Sequence, residues 1–135
     1  MIRAHRAAVV ARLAPWRVID DRAKVDDSSM PSPWVVVDFP PPLKETDRWS
    51  APDQHRGVGW FQTSCVGEDV DQVGRLHDAV ESRLLGWTPV VAGWSVWPVR
   101  MDTQPRLLDA YTALPDRRLV TTVCRWTWHA YVVSP

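Results

Sequence analysis

The sequence predicts an α+β fold, a mostly antiparallel sheet with two main helices packed on one face. Three observations predict it. Val70, Val73, Leu76, Val80 and Leu84 recur at three- and four-residue spacing, the mark of a helix with one buried stripe. Residues 119–133 alternate, with Val120, Cys124, Trp126, Trp128, Ala130 and Val132 on one face and Thr121, Arg125, Thr127 and His129 on the other. A second helical stretch, rich in Ala and Arg, opens the chain.

That first helix runs from Ile2 to Ala14, offering Ile2, Val9, Val10 and Leu13 to the core and Arg3, Arg6 and Arg12 to water. Pro15 stops it, because the residue before a proline is pushed out of the helical region. Trp16 to Ile19 reads as a short strand, and the polar stretch Asp20 to Pro33 as a loop. Trp34 to Phe39 is an apolar, β-branched run of the kind a buried strand needs, ended by Pro40, Pro41 and Pro42. A polar, proline-broken loop then runs to Arg56. It contains Trp49, an indole that is costly to leave in water, so the loop is expected to order around it on assembly.

Gly57 to Val66 reads as a strand closed by Gly67. Asp69 with Gln72 three residues on is a variant of the capping box, so the main helix starts there and stops near Leu85, with Gly86 beyond it. Val90-Val91, Ala92-Gly93 and Trp94 to Val96 read as a tight hairpin whose second strand is pushed to an edge by Pro98. A short helical turn is expected between Leu107 and Leu114, before the long closing strand.

At 135 residues and 45% hydrophobic the chain is expected to form one domain over residues 1–135 with a real core. Sixteen basic and sixteen acidic residues cancel, which disfavours a general nucleic-acid binder. Arg3, Arg6 and Arg12 break every early apolar run, so no signal peptide is expected. No stretch reaches the roughly 18 apolar residues of a membrane span. The expected setting is a cytoplasm.

Chemistry-bearing constellations are missing. His5, His55, His77 and His129 are scattered, and Cys65 and Cys124 read as buried small apolar residues rather than metal ligands. His77 reads as a boundary residue beside the helix stripe, no GxSxG elbow occurs, and Gly57-x-Gly59 lacks the third glycine and helix of a phosphate loop. Asp20-Asp21 and Asp26-Asp27 lack the spacing of a calcium loop. The expectation is therefore no catalytic, cofactor-binding or metal site, and a function exercised through other proteins. Nine tryptophans fit that, since aromatics are enriched at interfaces as well as in cores.

The segment Trp60 to Gly67, the helix ending Leu84-Leu85-Gly86, the Ala92-Gly93-Trp94 turn, the Pro98-Val99 segment and the strand at 119–133 together resemble the tail-terminator (tail completion) proteins of long-tailed phages. The resemblance implies a non-enzymatic virion subunit that assembles with itself, as a rule into a hexameric ring. It implies a cap on the tail tube protein that ends its polymerisation, then a joint to the head–tail connector protein, with assembly in the host cytoplasm. The competing assignments are a head-closure or connector subunit of the neck and, from another class, a small enzyme or ligand-binding domain. A closed ring sets one patch of a subunit against a different patch of its neighbour. The acid-free start of the chain and the acidic main helix are the two candidate patches. Arg3, Arg6 or Arg12 is expected to face Asp71, Asp78 or Glu81 of the next subunit, with Trp49 as an anchor.

Overall fold

The structure, a computed structural model, describes residues 2–19, 31–39, 56–103, 105–108 and 119–132. The expected loops at 20–30 and 40–55, with Trp49, and residues 109–118 lie outside the described residues. Among the described residues two helices, α1 (Ile2–Arg12) and α2 (Val70–Leu84), accompany seven strands: β1 (Val18–Ile19), β2 (Trp34–Asp38), β3 (Arg56–Gly67), β4 (Trp94–Val96), β5 (Arg100–Met101), β6 (Arg106–Leu108) and β7 (Val120–Val132). All seven strands join one sheet, in the order β1-β2-β3-β7-β4, with β5 and β6 also on β7. The fold is α+β, as the sequence predicts. Every pairing is antiparallel except β1 with β2, which is parallel.

The centre of the sheet is the β3–β7 pair, matched continuously from Arg56 opposite Tyr131 to Gly67 opposite Val120. Residues directly opposite share a face, so this register fixes both sides of the sheet. Val35, Val37, Phe61, Cys65, Cys124, Trp126, Trp128 and Ala130 lie on the inner face. They form one cluster with Val9 and Leu13 of the first helical segment and Val73, Leu76, Val80 and Leu84 of α2. Val120 is half-buried against the same cluster, so the α2 stripe packs on the face of β7 that the alternation predicts. A smaller cluster, Trp34, Val36, Val66 and Leu119, sits on the opposite face at the β2 end.

Both helix boundaries of α2 follow from local chemistry. Asp69 is the N-cap and accepts a hydrogen bond from the Gln72 backbone N–H (2.7 Å), while the Gln72 side chain accepts one from the Glu68 N–H (2.8 Å). The first bond satisfies a donor that the first turn would otherwise leave unpaired, and the second ties the residue before the cap to the helix. At the other end Gly86 adopts φ +76°, a conformation a side chain would strain.

Along α1 and the turn that follows it the buried stripe is His5, Val9 and Leu13, about one residue per turn. His5, which the sequence reading assigned to neither side of the helix, belongs to the buried side. Its ring stacks on Trp128 (4.1 Å between centroids) and meets Trp94 edge-on (5.8 Å). Val10 is only half-buried, because the helix turns its flank rather than its face to the sheet.

The other edge of β7 departs from expectation. Arg106–Leu108 is strand, where a helical turn was predicted from Leu107 onward. The edge of β7 supplies backbone partners opposite Thr121 to Val123, and a ladder outweighs intrinsic helix propensity, a weak preference even for a good helix former such as Leu. The 90–96 hairpin is reduced to a turn. Trp94 N–H donates to the Val91 carbonyl (3.0 Å) and Gly93 takes φ +82°, but Val91 forms only an isolated bridge with Trp94 and Val90 joins no strand, since Trp94–Val96 pairs with β7 instead. β4, β5 and β6 thus make one interrupted edge strand. Between β4 and β5 the register slips by one residue around Pro98, which has no N–H to give a ladder.

Candidate assembly surfaces

Of the basic residues expected at an interface, Arg12 is committed within the chain. Its Nε donates to the Arg83 carbonyl (3.0 Å), and Arg83 in return donates to the Arg12 and Ala14 carbonyls (3.2 Å each). Arg12 lies over Trp87 and Arg83 over Trp16, at 5.4 and 5.1 Å from the ring centroids. Two arginines thereby satisfy the last carbonyls of both helices, where the helix dipole favours cations. Sequence spacing alone does not show a clasp between residues this far apart. Arg6 is half-buried; Arg3 lies within α1, but its side chain, like Trp49, is outside the described part of the structure.

The acidic residues lie on α2. Asp71 and Asp78 are exposed, and Asp71 pairs with Arg75 one turn on. Glu81 is half-buried, 3.7 Å from His77, with which it forms an ion pair when the imidazole is protonated. His77 itself is buried, not at the boundary. Beside this charged side, Val70 is 57% exposed at the start of α2, and Leu85 is 52% exposed just past its end.

A second surface is the outer face of the sheet. There Arg125 lies over the Trp60 ring, its guanidinium carbon 4.3 Å from the centroid, and Trp97 stacks on His129 at 5.8 Å. Arg100 is opposite Thr127 and Arg106 opposite Val123, so both belong to this face with Gln62 and Arg125. Trp60 remains 37% and Trp97 47% exposed, large apolar areas left at the surface. The alternation of 119–133 already places Arg125, Thr127 and His129 away from the core. The arrival of Arg100 and Arg106 beside them depends on edge pairings that the sequence does not announce.

The buried chemistry is quiet. Cys65 and Cys124 are free and lie on neighbouring strands of the inner face, where Cys124 Sγ donates to the Thr103 carbonyl (3.6 Å). Burial, with the nearby Cys124, pushes the Cys65 thiol up to about 12; burial, with Glu81, pushes Cys124 up to about 11. A protonated, enclosed thiol is a poor nucleophile. Among the described residues no group of three or more His, Cys, Asp or Glu is placed to hold a metal ion, and no helix is long and apolar enough to cross a membrane.

The raised thiols carry a pH dependence of stability. Unfolding returns each thiol to its ordinary value of 9.0, so above that pH the unfolded chain sheds protons that the folded chain keeps. The contribution is complete below the ordinary value and is lost as pH rises through it towards about 11–12. The urea midpoint should fall between about pH 8 and about pH 11, and fall less steeply in a Cys65→Ala variant. Equal slopes for the two proteins would show that Cys65 ionises alike in both states.

With this geometry in place, comparison with known proteins gives one kind of match. No protein-family profile matches the chain, and no curated protein matches it significantly in sequence. Among solved structures, a chain from the virion of a native gene transfer agent (GTA) particle superposes with a TM-score of 0.66 at 17% identity, covering 95% of this chain and 96% of that one. A second, which carries no functional name, superposes with a TM-score of 0.64 at 16% identity, covering 100% and 99%. The fold is shared. At this identity side chains are not expected to correspond, so neither surface described above is transferred from those proteins.

Proposed function

We infer that this chain is a structural subunit of a phage-like particle, and specifically a tail terminator: a ring-forming cap that ends growth of the tail tube and provides its joint to the head. The observation that carries this reading is the end-to-end likeness to a chain of a gene transfer agent virion, which leaves almost no part of either chain unaccounted for. The resemblance of the 60–67, 84–86, 92–94 and 119–133 segments to tail-terminator proteins supports the finer assignment. Two exposed surfaces of different chemistry, one on α2 and one on the sheet, suit the head-to-tail contacts of a ring. The protein acts without catalysis or cofactor. Its partners are its own copies, the tube protein and the head–tail connector, and its place is the neck-proximal end of the tail.

Removal of the gene and electron microscopy of the resulting lysate test this assignment. A terminator leaves tails of uncontrolled length beside full, tailless heads. Tails of normal length beside emptied heads would instead make the chain a head-closure or connector subunit. Complete particles of normal infectivity would remove it from the structural set altogether.

A further inference from the structure

We propose that the exposed part of the outer face of the sheet, around Trp60, Trp97, Arg100 and Arg125, is the socket into which the exposed side of α2 from a second copy of this chain docks, so that the ring closes sheet-face to helix-face. The proposal rests on the ring reading above and names the surfaces that make the ring.

The two faces are complementary in charge and in apolar content. Among the described residues of the sheet face, Arg100, Arg106 and Arg125 outnumber Asp38 at the β2 end and Asp102 at the rim, with His129 beside them. Along α2 and its N-terminal approach, Glu68, Asp69, Asp71, Asp78 and Glu81 outnumber Arg75 and Arg83, and Arg83 is held in the clasp with Arg12. The sheet also offers the partly exposed faces of Trp60 and Trp97, while the helix offers Val70 and Leu85 at its two ends. Aromatic and arginine anchors on one side, with Val70 between Asp69 and Asp71 on the other, make a pair that buries apolar surface without stranding like charges.

Position within the fold favours this pairing over one between α1 and α2. Both helices pack on the inner face of the sheet and touch each other, and Arg12 is already spent in the clasp with Arg83. The outer face lies on the opposite side of the molecule from α2. A contact between opposite sides leaves each subunit one socket and one plug still open, which is the requirement for a closed ring rather than a two-fold dimer.

Charge reversal in two separate proteins tests it. One carries Arg100→Glu and Arg125→Glu, the other Asp71→Arg and Asp78→Arg, with circular dichroism confirming that each is folded. An Arg100→Glu protein alone, reversed at an exposed position, serves if loss of the Trp60–Arg125 contact unfolds the first. Sedimentation is expected to show that each needs at least about tenfold more protein to form rings than the unaltered chain. An equimolar mixture should form rings readily, because alternating subunits restore opposite charges at every contact in an even-membered ring. Rings that form normally from either variant alone would overturn the socket while leaving the ring reading intact. An unaltered chain that stays monomeric at every concentration would overturn both. Variants that ring normally but lose affinity for a labelled oligonucleotide bound by the unaltered chain would assign the sheet face to nucleic acid, which also overturns the proposal.

Discussion

Replacing Trp126 by alanine is expected to cost about 3–5 kcal/mol of stability, a large part of the 5–15 kcal/mol typical of a domain. Trp126 is fully buried at the centre of β7, opposite Phe61, whose ring it meets at 6.5 Å. Its Nε1 donates a buried hydrogen bond to Thr63 Oγ1 (3.0 Å). Truncation therefore opens a cavity between the sheet and the helices and also leaves the Thr63 hydroxyl without this donor. Trp126→Phe keeps much of the volume and should cost less than Trp126→Ala. Urea unfolding of the three proteins measures this directly. Equal losses for the two variants would mean that the hydrogen bond, not the packing, is what Trp126 contributes.

Leu76→Ala is expected to cost about 2–5 kcal/mol, because α2 is held by its apolar stripe rather than by its caps. Leu76 sits between Val73 and Val80 against the Cys124–Trp126 region of the sheet. Val70 lies on the same helix but 57% exposed, so Val70→Ala should change stability by no more than about 0.5 kcal/mol. Thermal melts of both variants separate the two sides of the helix. A Leu76→Ala protein that melts with the unaltered chain would place that helix outside the core.

These two residues also show what could be read from the sequence. The α2 stripe, its Asp69 cap, the β3 strand and the alternation of β7 were legible because each is a long periodic signal that local chemistry alone sets. The interrupted edge strand was not, since β4, β5 and β6 are two or three residues long and exist only because β7 offers them a ladder. The parallel placement of β1 on β2 was hidden for the same reason: two residues carry no pattern. Among the candidate surfaces, the acids of α2 could be named from helical spacing. The Arg12–Arg83 clasp joins the two helices across the fold, and the Arg125–Trp60 contact joins neighbouring strands, so both needed the tertiary arrangement. The family resemblance pointed to a particle subunit, and one solved structure that shares this fold is a chain of a gene transfer agent virion.

The ring would form by steered encounter as well as by burial. Exposed pairs such as those on α2 contribute only about 0–1 kcal/mol each, and salt beyond about 0.15 M shortens their reach to under roughly 8 Å. Apolar contacts at Trp60, Trp97, Val70 and Leu85 would then carry most of the holding free energy.

The most direct measurement is addition of the purified protein to polymerising tail tube protein, followed by electron microscopy over time. Rings of uniform diameter seated on tube ends, with elongation stopped at those ends, are the predicted result. Tubes that continue to lengthen at an unchanged rate, their ends bare and the added protein monomeric, would contradict the account.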